Sequence, residues 1–279
     1  MSRVLGFTRL VHPFPSILDG LVVGVTAIAA GAGVADVLRL GASMVALQAG
    51  IGATNDVADA PTDRGLKPGK PIPAGLVSDS EARLIAVVAF LLGLVLAAPS
   101  GPSVVGLAVI VIGIGLAYDL RLKGTAWSWL PFAVGVPLLP VYGWLGGSGA
   151  LARFFTILVP TAVAAGAALA IANALVDHER DRAAGVASVV TRLGAERAWA
   201  IHIGLLALVG GAAILSAWLL GAAGPGIALI AVLAVVPLGA ALVGRDGDPG
   251  RRERAWELEA VGLGLLATAW LAGPALGAP

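Results

Sequence analysis

Two long stretches of the chain, residues 84–118 and 198–244, contain no aspartate, glutamate, lysine or arginine. A helix needs about 20 mostly apolar residues to cross the hydrocarbon core of a bilayer, so each stretch is too long for one crossing. Turn residues interrupt both stretches, at residues 99–102 and 221–226, and these breaks predict helical hairpins. With 13% charged residues and a mean hydropathy of +0.93, the chain is excluded from the class of water-soluble domains.

The same length criterion predicts nine membrane-spanning helices along the chain. They cover residues 16–35, 40–54, 84–98, 102–118, 128–146, 154–176, 198–220, 225–243 and 256–276. We therefore predict an all-α polytopic membrane protein in the lipid bilayer, with a single transmembrane domain over residues 1–279. The net charge of +1 offers no field to attract nucleic acid, and the absence of cysteine excludes thiolate metal sites and thiolate nucleophiles.

Positive charge is confined almost entirely to one set of loops. All but Arg39 and Arg153 of the 18 lysines and arginines lie in the N-terminal segment or in the loops after the second, fourth, sixth and eighth spans. Cytoplasmic loops carry an excess of lysine and arginine, so the N-terminus and these loops are predicted to lie on the cytoplasmic side of the cell membrane. The acids follow the same division, with Asp36 on the opposite side, although the positive-inside rule does not require it. This pattern indicates a functional site on the cytoplasmic side.

Two acidic motifs with the same spacing stand at the ends of the second and sixth spans. Both read N-x-x-x-D-x-x-x-D, beginning at Asn55 and at Asn173. Residues four apart lie on one face of a helix. Asn173, Asp177 and Asp181 are therefore expected to form one stripe, as are Asn55 and Asp59.

The surroundings of the motifs lead to two further expectations. Pro61 disfavours a helical conformation for the residue before it, so Asp63 is expected to leave the helical register of the first motif. The motifs lie four spans apart, which predicts a duplicated four-helix unit whose two copies run in the same direction. The two carboxylate clusters would then lie at the same depth.

Carboxylates gathered at one point repel each other unless a cation neutralises them. Oxygen ligands, with no cysteine and only three histidines in the chain, favour Mg²⁺ over zinc. Mg²⁺ usually combines one or two carboxylates with phosphate oxygens, so the two motifs predict a diphosphate bound through at least two ions. Basic residues close to the motifs are candidate diphosphate ligands: Arg64, Lys67, Lys70, Arg121, Lys123, Arg180, Arg182 and Arg192.

These residues resemble the UbiA superfamily of intramembrane prenyltransferases. Residues 55–63 (N-D-x-x-D-x-x-x-D) resemble the first Asp-rich motif of that family, and residues 177–181 (D-x-x-x-D) resemble the second. The segment 70–75 (K-P-I-P-A-G) is similar to the loop after the first motif, where arginine stands more often at the first position. Tyr118 and Lys123 match a tyrosine and a lysine at the end of the fourth helix.

The resemblance implies Mg²⁺-dependent transfer of an isoprenyl group from an allylic or polyprenyl diphosphate to an acceptor, usually aromatic, with release of diphosphate. Together with the charge pattern, it assigns metal binding to Asp56, Asp59, Asp177 and Asp181. The expected diphosphate contacts are Asn55, Arg64, Lys67, Lys70, Lys123, Asn173, Arg180 and Arg192. Asp63, Tyr118 and Lys123 are candidates for the catalytic step, with Asp63 orienting or deprotonating the acceptor. The cytoplasmic catalytic loops would be residues 55–83, 118–127 and 177–197.

Other classes of membrane protein share some of these features. A cation-coupled transporter also places acids and broken helices in the membrane, but usually near the midplane. A CDP-alcohol phosphotransferase needs an Asp-Gly and a downstream Ala-Arg leading into one long motif, and that arrangement is absent. A terpene cyclase of the same superfamily, which uses no acceptor, remains compatible with the sequence.

Four further polar features are expected to be structural rather than catalytic. His12 is interpreted as an interfacial residue, and His202 as a buried, hydrogen-bonded histidine. Gln48 is expected either to bond between helices or to contact the acceptor, because an unpaired amide is costly in lipid. The basic residues within 245–254 are interpreted as surface charge.

Overall fold

The computed structural model describes residues 2–64 and 69–277, and over those ranges the chain forms helices and no β-strand. The helices are α1 (Arg3–Leu10), α2 (Pro13–Ala29), α3 (Val34–Asp63), α4 (Asp79–Ala97), α5 (Pro102–Ala117), α6 (Leu130–Ser148), α7 (Phe155–Val176), α8 (His178–Ala183), α9 (Val189–Leu193), α10 (Ala195–Leu219), α11 (Gly224–Gly244) and α12 (Pro249–Gly277). A 3₁₀ turn, Ala98–Ser100, follows α4, and a π-helical turn, Tyr118–Leu122, follows α5. Lys67, a predicted diphosphate ligand, lies outside the described residues.

Within these ranges, eight helices are long and apolar enough to cross a membrane. α1 and α2 are bent by 47° at their junction and provide a ninth span if the pair is counted as one. The all-α polytopic architecture is therefore confirmed. The breaks predicted at residues 99–102 and 221–226 do separate α4 from α5 and α10 from α11.

α3 is longer than the predicted span 40–54 at both ends: it includes the first acidic motif at its end, and Asp36 and Arg39 at its beginning. Arg39 donates from Nη2 to Asp36 Oδ1 at 2.6 Å, and from Nη1 to the carbonyl oxygen of Leu96 in α4 at 2.6 Å. These partners remove the cost of placing the two charges on a membrane helix, so the helix begins at Val34.

Other helix ends follow local sequence signals. Ser78 and Glu81 form a reciprocal capping box at the start of α4. Gly101 has a φ of 90°, which a residue with a Cβ rarely adopts, and it separates the 3₁₀ turn from Pro102 at the first position of α5. These signals explain why one apolar stretch forms two helices.

Contacts between residues divide the chain into two compact units. The first comprises Met1–Arg121 and Leu138–Leu151. In this unit α3 packs against α2, α4 and α5 around an apolar core that includes Leu47. At Gly93 an added Cβ would lie 2.5 Å from the Leu47 side chain, so glycine is what allows α4 to approach α3 this closely. The Ser43 hydroxyl lies 2.7 Å from both the Gly93 carbonyl oxygen and the Tyr142 hydroxyl, joining three helices.

The second unit comprises Leu122–Pro137 and Ala152–Pro279. Its long helices pack in a ring: α7 contacts α10, α10 contacts α11, α11 contacts α12, and α12 contacts α7. His202 Nε2 lies 2.8 Å from Glu259 Oε2, and this pair joins α10 to α12 with both side chains buried. The prediction that His202 is a buried, hydrogen-bonded histidine is confirmed. The single domain and the duplicated four-helix unit remain predictions.

Candidate active site

The first acidic motif occupies the last turns of α3. This helix continues to Asp63 with Pro61 inside it, so the prediction that Pro61 displaces Asp63 from the helical register is wrong. Pro61 lies in the last turn, where its missing N–H removes only the bond to the Val57 carbonyl before the helix ends. Asp56 and Asp63 are 2% and 6% exposed.

Asp56 is the centre of a polar network in the first unit. Its Oδ1 lies 3.0 Å from His12 Nε2 and accepts a short hydrogen bond from Lys70 Nζ. Its Oδ2 is buried and has no hydrogen-bond partner among the described residues. His12 has a φ of 45° and packs against Gly52, where an added Cβ would lie 3.0 Å from the ring. His12 is therefore a partner of the acidic motif, which its position beside Pro13 did not indicate.

Asn55 has a partner that the sequence did not suggest. Its Nδ2 donates to Asp119 Oδ1 at 2.8 Å. Asp119 is 8% exposed and belongs to the π-helical turn that begins with the half-buried Tyr118. A carboxylate at the end of an otherwise apolar helix is energetically costly without a polar partner. The sequence could therefore have indicated that Asp119 has such a partner.

Another polar pair involves α3, farther from the end of that helix. Gln48 Nε2 donates to Asp19 Oδ2 at 2.7 Å, joining α3 to α2. Gln48 precedes Asp56 by about two turns, a rise of roughly 12 Å along the helix. The interhelical hydrogen bond, one of the two expectations for Gln48, is confirmed.

The second acidic motif lies at a break between two helices. α7 ends at Val176, Asp177 has a φ of −98° and a ψ of 5°, and α8 begins at the next residue. The prediction of one continuous helical stripe through Asn173, Asp177 and Asp181 is therefore wrong. No residue of α8 is fully buried, although His178 and Asp181 are half-buried. The amide of Asp181 still donates to the Asp177 carbonyl oxygen at 2.9 Å, which keeps the two carboxylates one turn apart.

Arg252, in the first turns of α12, binds this segment directly. Its Nη1 and Nη2 donate to the two carboxylate oxygens of Glu179 at 2.7 Å each, and Nη1 also donates to the Leu175 carbonyl oxygen at 3.0 Å. The hydrogen bonds from Arg252 to the Glu179 carboxylate lower the pKa of Glu179 to about 2. The interpretation of Arg252 as surface charge is therefore wrong, whereas Arg245 pairs with Glu196 at the surface as expected.

The remaining predicted site residues differ in exposure. Asp59, Asn173 and Asp181 are half-buried, as are Lys70 and Lys123. Arg64, Arg180 and Arg192 are exposed, and Arg180 forms a short ion pair with Asp177. The first unit thus contains Asn55, Asp56, Asp59, Asp63, Arg64, Lys70 and Tyr118, and the second contains Lys123, Asn173, Asp177, Arg180, Asp181 and Arg192.

Comparison with known proteins decides the family. Residues 20–271 match the model of the UbiA prenyltransferase family. The chain belongs to the UbiA prenyltransferase family. It is similar to a digeranylgeranylglyceryl phosphate synthase from Methanoregula boonei, with 34% identity over 202 residues that cover 70% of each chain.

Solved structures show the same fold. This prenyltransferase superimposes on the apo structure of a UbiA homolog from Aeropyrum pernix K1 with a TM-score of 0.74 and 20% identity, covering 91% of this chain and 96% of the other. A UbiA homolog from Archaeoglobus fulgidus, bound to DMAPP and Mg²⁺, gives a TM-score of 0.66 and 19% identity over 94% and 99% of the two chains. The family match over residues 20–271 confirms the predicted resemblance.

The oxygen ligands of this UbiA-type prenyltransferase suit an Mg²⁺ ion whose remaining coordination positions are filled by a substrate. No group of three or more histidine or acidic side chains in the described part of the chain is arranged to hold a metal ion by itself. Mg²⁺ in phosphate sites commonly takes one or two carboxylates and fills its remaining positions with phosphate oxygens and water. Half-buried aspartates such as Asp59 and Asp177, with no cysteine in the chain, provide ligands of that kind.

Proposed function

We propose that this enzyme transfers an isoprenyl group from an isoprenyl diphosphate to the hydroxyl group of a prenylated glycerol phosphate and releases diphosphate. The observation that supports diphosphate binding is the position of Lys70, which the buried carboxylate of Asp56 holds beside the first acidic motif. The acceptor class is supported by 34% identity to a digeranylgeranylglyceryl phosphate synthase. An aromatic acceptor, usual in the family, is the second candidate.

The proposed reaction exchanges one carbon–oxygen bond for another. The bond between the isoprenyl C1 and the diphosphate breaks, an ether bond to the acceptor oxygen forms, and the hydroxyl proton leaves. Mg²⁺, when bound, neutralises charge on the departing diphosphate. The carboxylates proposed to hold the ions are Asp59, Asp177 and Asp181.

Polar and basic side chains are proposed to bind and orient the diphosphate. Those nearest the first motif are Asn55, Arg64 and Lys70, and the others are Lys67, Lys123, Asn173, Arg180 and Arg192. Fixed cations directed at the leaving group stabilise the charge that grows on it in the transition state. Asp63, buried at the end of α3, orients or deprotonates the acceptor hydroxyl, and Tyr118 and Lys123 assist this step.

Asp56 is proposed to position Lys70 in addition to any contact with metal. Its Oδ1 already accepts a hydrogen bond from the Lys70 ammonium group and lies within hydrogen-bond distance of His12. Because Oδ1 already contacts Lys70 and His12, the oxygen left for a direct metal contact is Oδ2, which is buried. The existing contacts therefore favour the positioning role.

Product analysis tests the proposed reaction. Purified enzyme is incubated with ten- to twenty-carbon isoprenyl diphosphates and a panel of acceptors: geranylgeranylglyceryl phosphate, glycerol phosphates, phenols, naphthoates and chlorophyllide. We expect mass spectrometry to detect an ether product and free diphosphate only with the prenylated acceptor, geranylgeranylglyceryl phosphate. Chelation with EDTA should lower the rate by about a hundredfold or more, and added Mg²⁺ should restore it.

Other products would contradict specific parts of the proposal. A prenylated aromatic product would contradict the proposed glycerol phosphate acceptor but would still support isoprenyl transfer. A cyclic hydrocarbon formed without an acceptor would establish the terpene cyclase alternative. A rate unchanged by EDTA would contradict the proposed use of Mg²⁺.

The active-site loops are also proposed to face the cytoplasm, on the support of the lysine and arginine distribution. The chain contains no cysteine, so single cysteines report topology without background labelling. Ser80→Cys and Ala150→Cys replace exposed residues at opposite ends of membrane helices. We expect a membrane-impermeant maleimide to label position 80 from the cytoplasmic side and position 150 from the opposite side, and the reverse pattern would overturn the orientation.

A further inference from the structure

Arg252 uses its guanidinium group to connect α12 with residues on both sides of Asp177 in the second acidic motif. Two of its nitrogens bind the Glu179 carboxylate as a fork, and Nη1 also donates to the Leu175 carbonyl oxygen. Its Nε donates to the Gly247 carbonyl oxygen at 2.9 Å, in the turn before α12. The side chain is 20% exposed, and its orientation is fixed by three separate partners.

The residues that Arg252 contacts lie on either side of Asp177, a proposed metal ligand. Leu175 belongs to the last turn of α7, and Glu179 to the first turn of α8. Asp177 stands at the break between these helices, and no residue of α8 is fully buried, although His178 and Asp181 are half-buried. The polar contacts of Arg252 therefore add to the limited packing that attaches this segment to the rest of its unit.

The ion pair between Arg180 and Asp177 does not provide such an anchor. Both residues belong to the same short segment, and their side chains are 42% and 41% exposed. Water and salt weaken an exposed local pair of this kind. Arg252 differs because it belongs to α12, a separate helix packed against α7.

We propose that Arg252 is a positioning residue that fixes the second acidic motif and thereby directs the Asp177 carboxylate. The inference rests on the proposed function for its kinetic consequence, because that consequence requires Asp177 to hold Mg²⁺. Side chains that orient metal ligands typically change metal affinity or activity by about 10- to 100-fold when they are removed. Lysine cannot replace the planar fork, since its single ammonium group cannot bind both carboxylate oxygens in this geometry.

Matched variants separate positioning from general stabilisation. The test set is Arg252→Ala, Arg252→Lys, Glu179→Ala and the double variant Arg252→Ala/Glu179→Ala. Arg245→Ala is the control, because Arg245 pairs with Glu196 in an exposed contact that is also made between helices of the second unit. Each protein is assayed for the Mg²⁺ concentration at half-maximal rate and for hydrogen exchange of residues 175–184.

We expect Arg252→Ala to raise the half-maximal Mg²⁺ concentration by about tenfold or more. Glu179→Ala should have a smaller effect in the same direction, because it leaves the Arg252 bonds to Leu175 and Gly247 in place. The double variant should be no worse than Arg252→Ala, because Glu179 acts on this segment through its contact with Arg252. Arg252→Lys should recover part of the loss, and Arg245→Ala should behave as the wild type. Amide exchange should accelerate in residues 175–184 of the Arg252→Ala protein and remain unchanged in the cores of α10 and α11.

Two results would overturn the proposal. One is Mg²⁺ dependence in Arg252→Ala equal to that of Arg245→Ala. The other is exchange that accelerates equally throughout the second unit, since this would show a general stabilising role. If the wild-type enzyme transfers no isoprenyl group to any acceptor, the proposed function fails, while the exchange experiment still decides whether Arg252 holds the segment.

Discussion

Asp59→Asn and Asp177→Asn are each expected to lower kcat/KM for isoprenyl transfer by at least about tenfold. Each change replaces a charged ligand oxygen with a neutral amide of nearly the same shape, so attraction for Mg²⁺ falls while packing is preserved. The half-buried position of both carboxylates makes them accessible to an ion that arrives with diphosphate. Initial rates measured over a range of Mg²⁺ concentrations test this expectation.

The double variant tests whether both motifs act on the same step. Residues that act as a unit give strongly non-additive effects, so Asp59→Asn/Asp177→Asn should lose less than the product of the two single losses. Asp36→Asn is the matched control, because this aspartate lies at the other end of α3 and is 54% exposed in its pair with Arg39. A loss of less than about tenfold in both single variants would remove the metal assignment.

Lys70→Met is expected to lower kcat/KM by about a hundredfold and to destabilise the first unit. The activity falls because a fixed cation directed at the leaving group is lost, a change that costs roughly 10²–10³ in rate in comparable sites. The stability falls because the Asp56 carboxylate, 2% exposed, loses its ammonium partner. Breaking a fully buried ion pair from one side costs about 3–5 kcal/mol. We expect a smaller loss here, because Lys70 is 23% exposed and His12 still contacts Asp56, and thermal unfolding in detergent measures it.

Two further variants separate the two effects of Lys70. Lys70→Arg keeps the positive charge, so its activity should stay within about tenfold of the wild type even though arginine has a different shape. Lys70→Met/Asp56→Leu removes both charges, which typically returns most of the lost stability. We expect this double variant to unfold near the wild-type temperature and to remain inactive. Recovery of activity in the double variant would contradict the role of Lys70 at the diphosphate.

The membrane architecture could be predicted because the bilayer imposes a length and a polarity that are visible along the chain. The hairpin break at residues 99–102 needed only proline and glycine within an apolar stretch, and the structure has its break there. The extension of α3 to Val34 could not be predicted in the same way. It depends on the bond from Arg39 to Leu96, a residue in another helix.

The local conformation of the two acidic motifs was predicted less well than their existence. Pro61 is accommodated because it stands within three residues of the end of α3, where the helix loses one bond and then stops. The spacing of the second motif suggested a continuous helix, but α7 ends at Val176 and Asp177 separates it from α8, in which no residue is fully buried. Both outcomes depend on where α3 and α7 end, which the spacing of the motifs does not indicate.

The sequence by itself determined the class of protein, the two acidic motifs and the ligand chemistry that they favour, because these properties depend on residue type and spacing. Only the tertiary structure decided the partners of those motifs. Asp56 is paired with His12, 44 residues away, Asn55 with Asp119, 64 residues away, and Glu179 with Arg252, 73 residues away. Each pairing depends on which helices lie side by side, because hydrogen bonds act only over about 3 Å and their partners are chosen by packing.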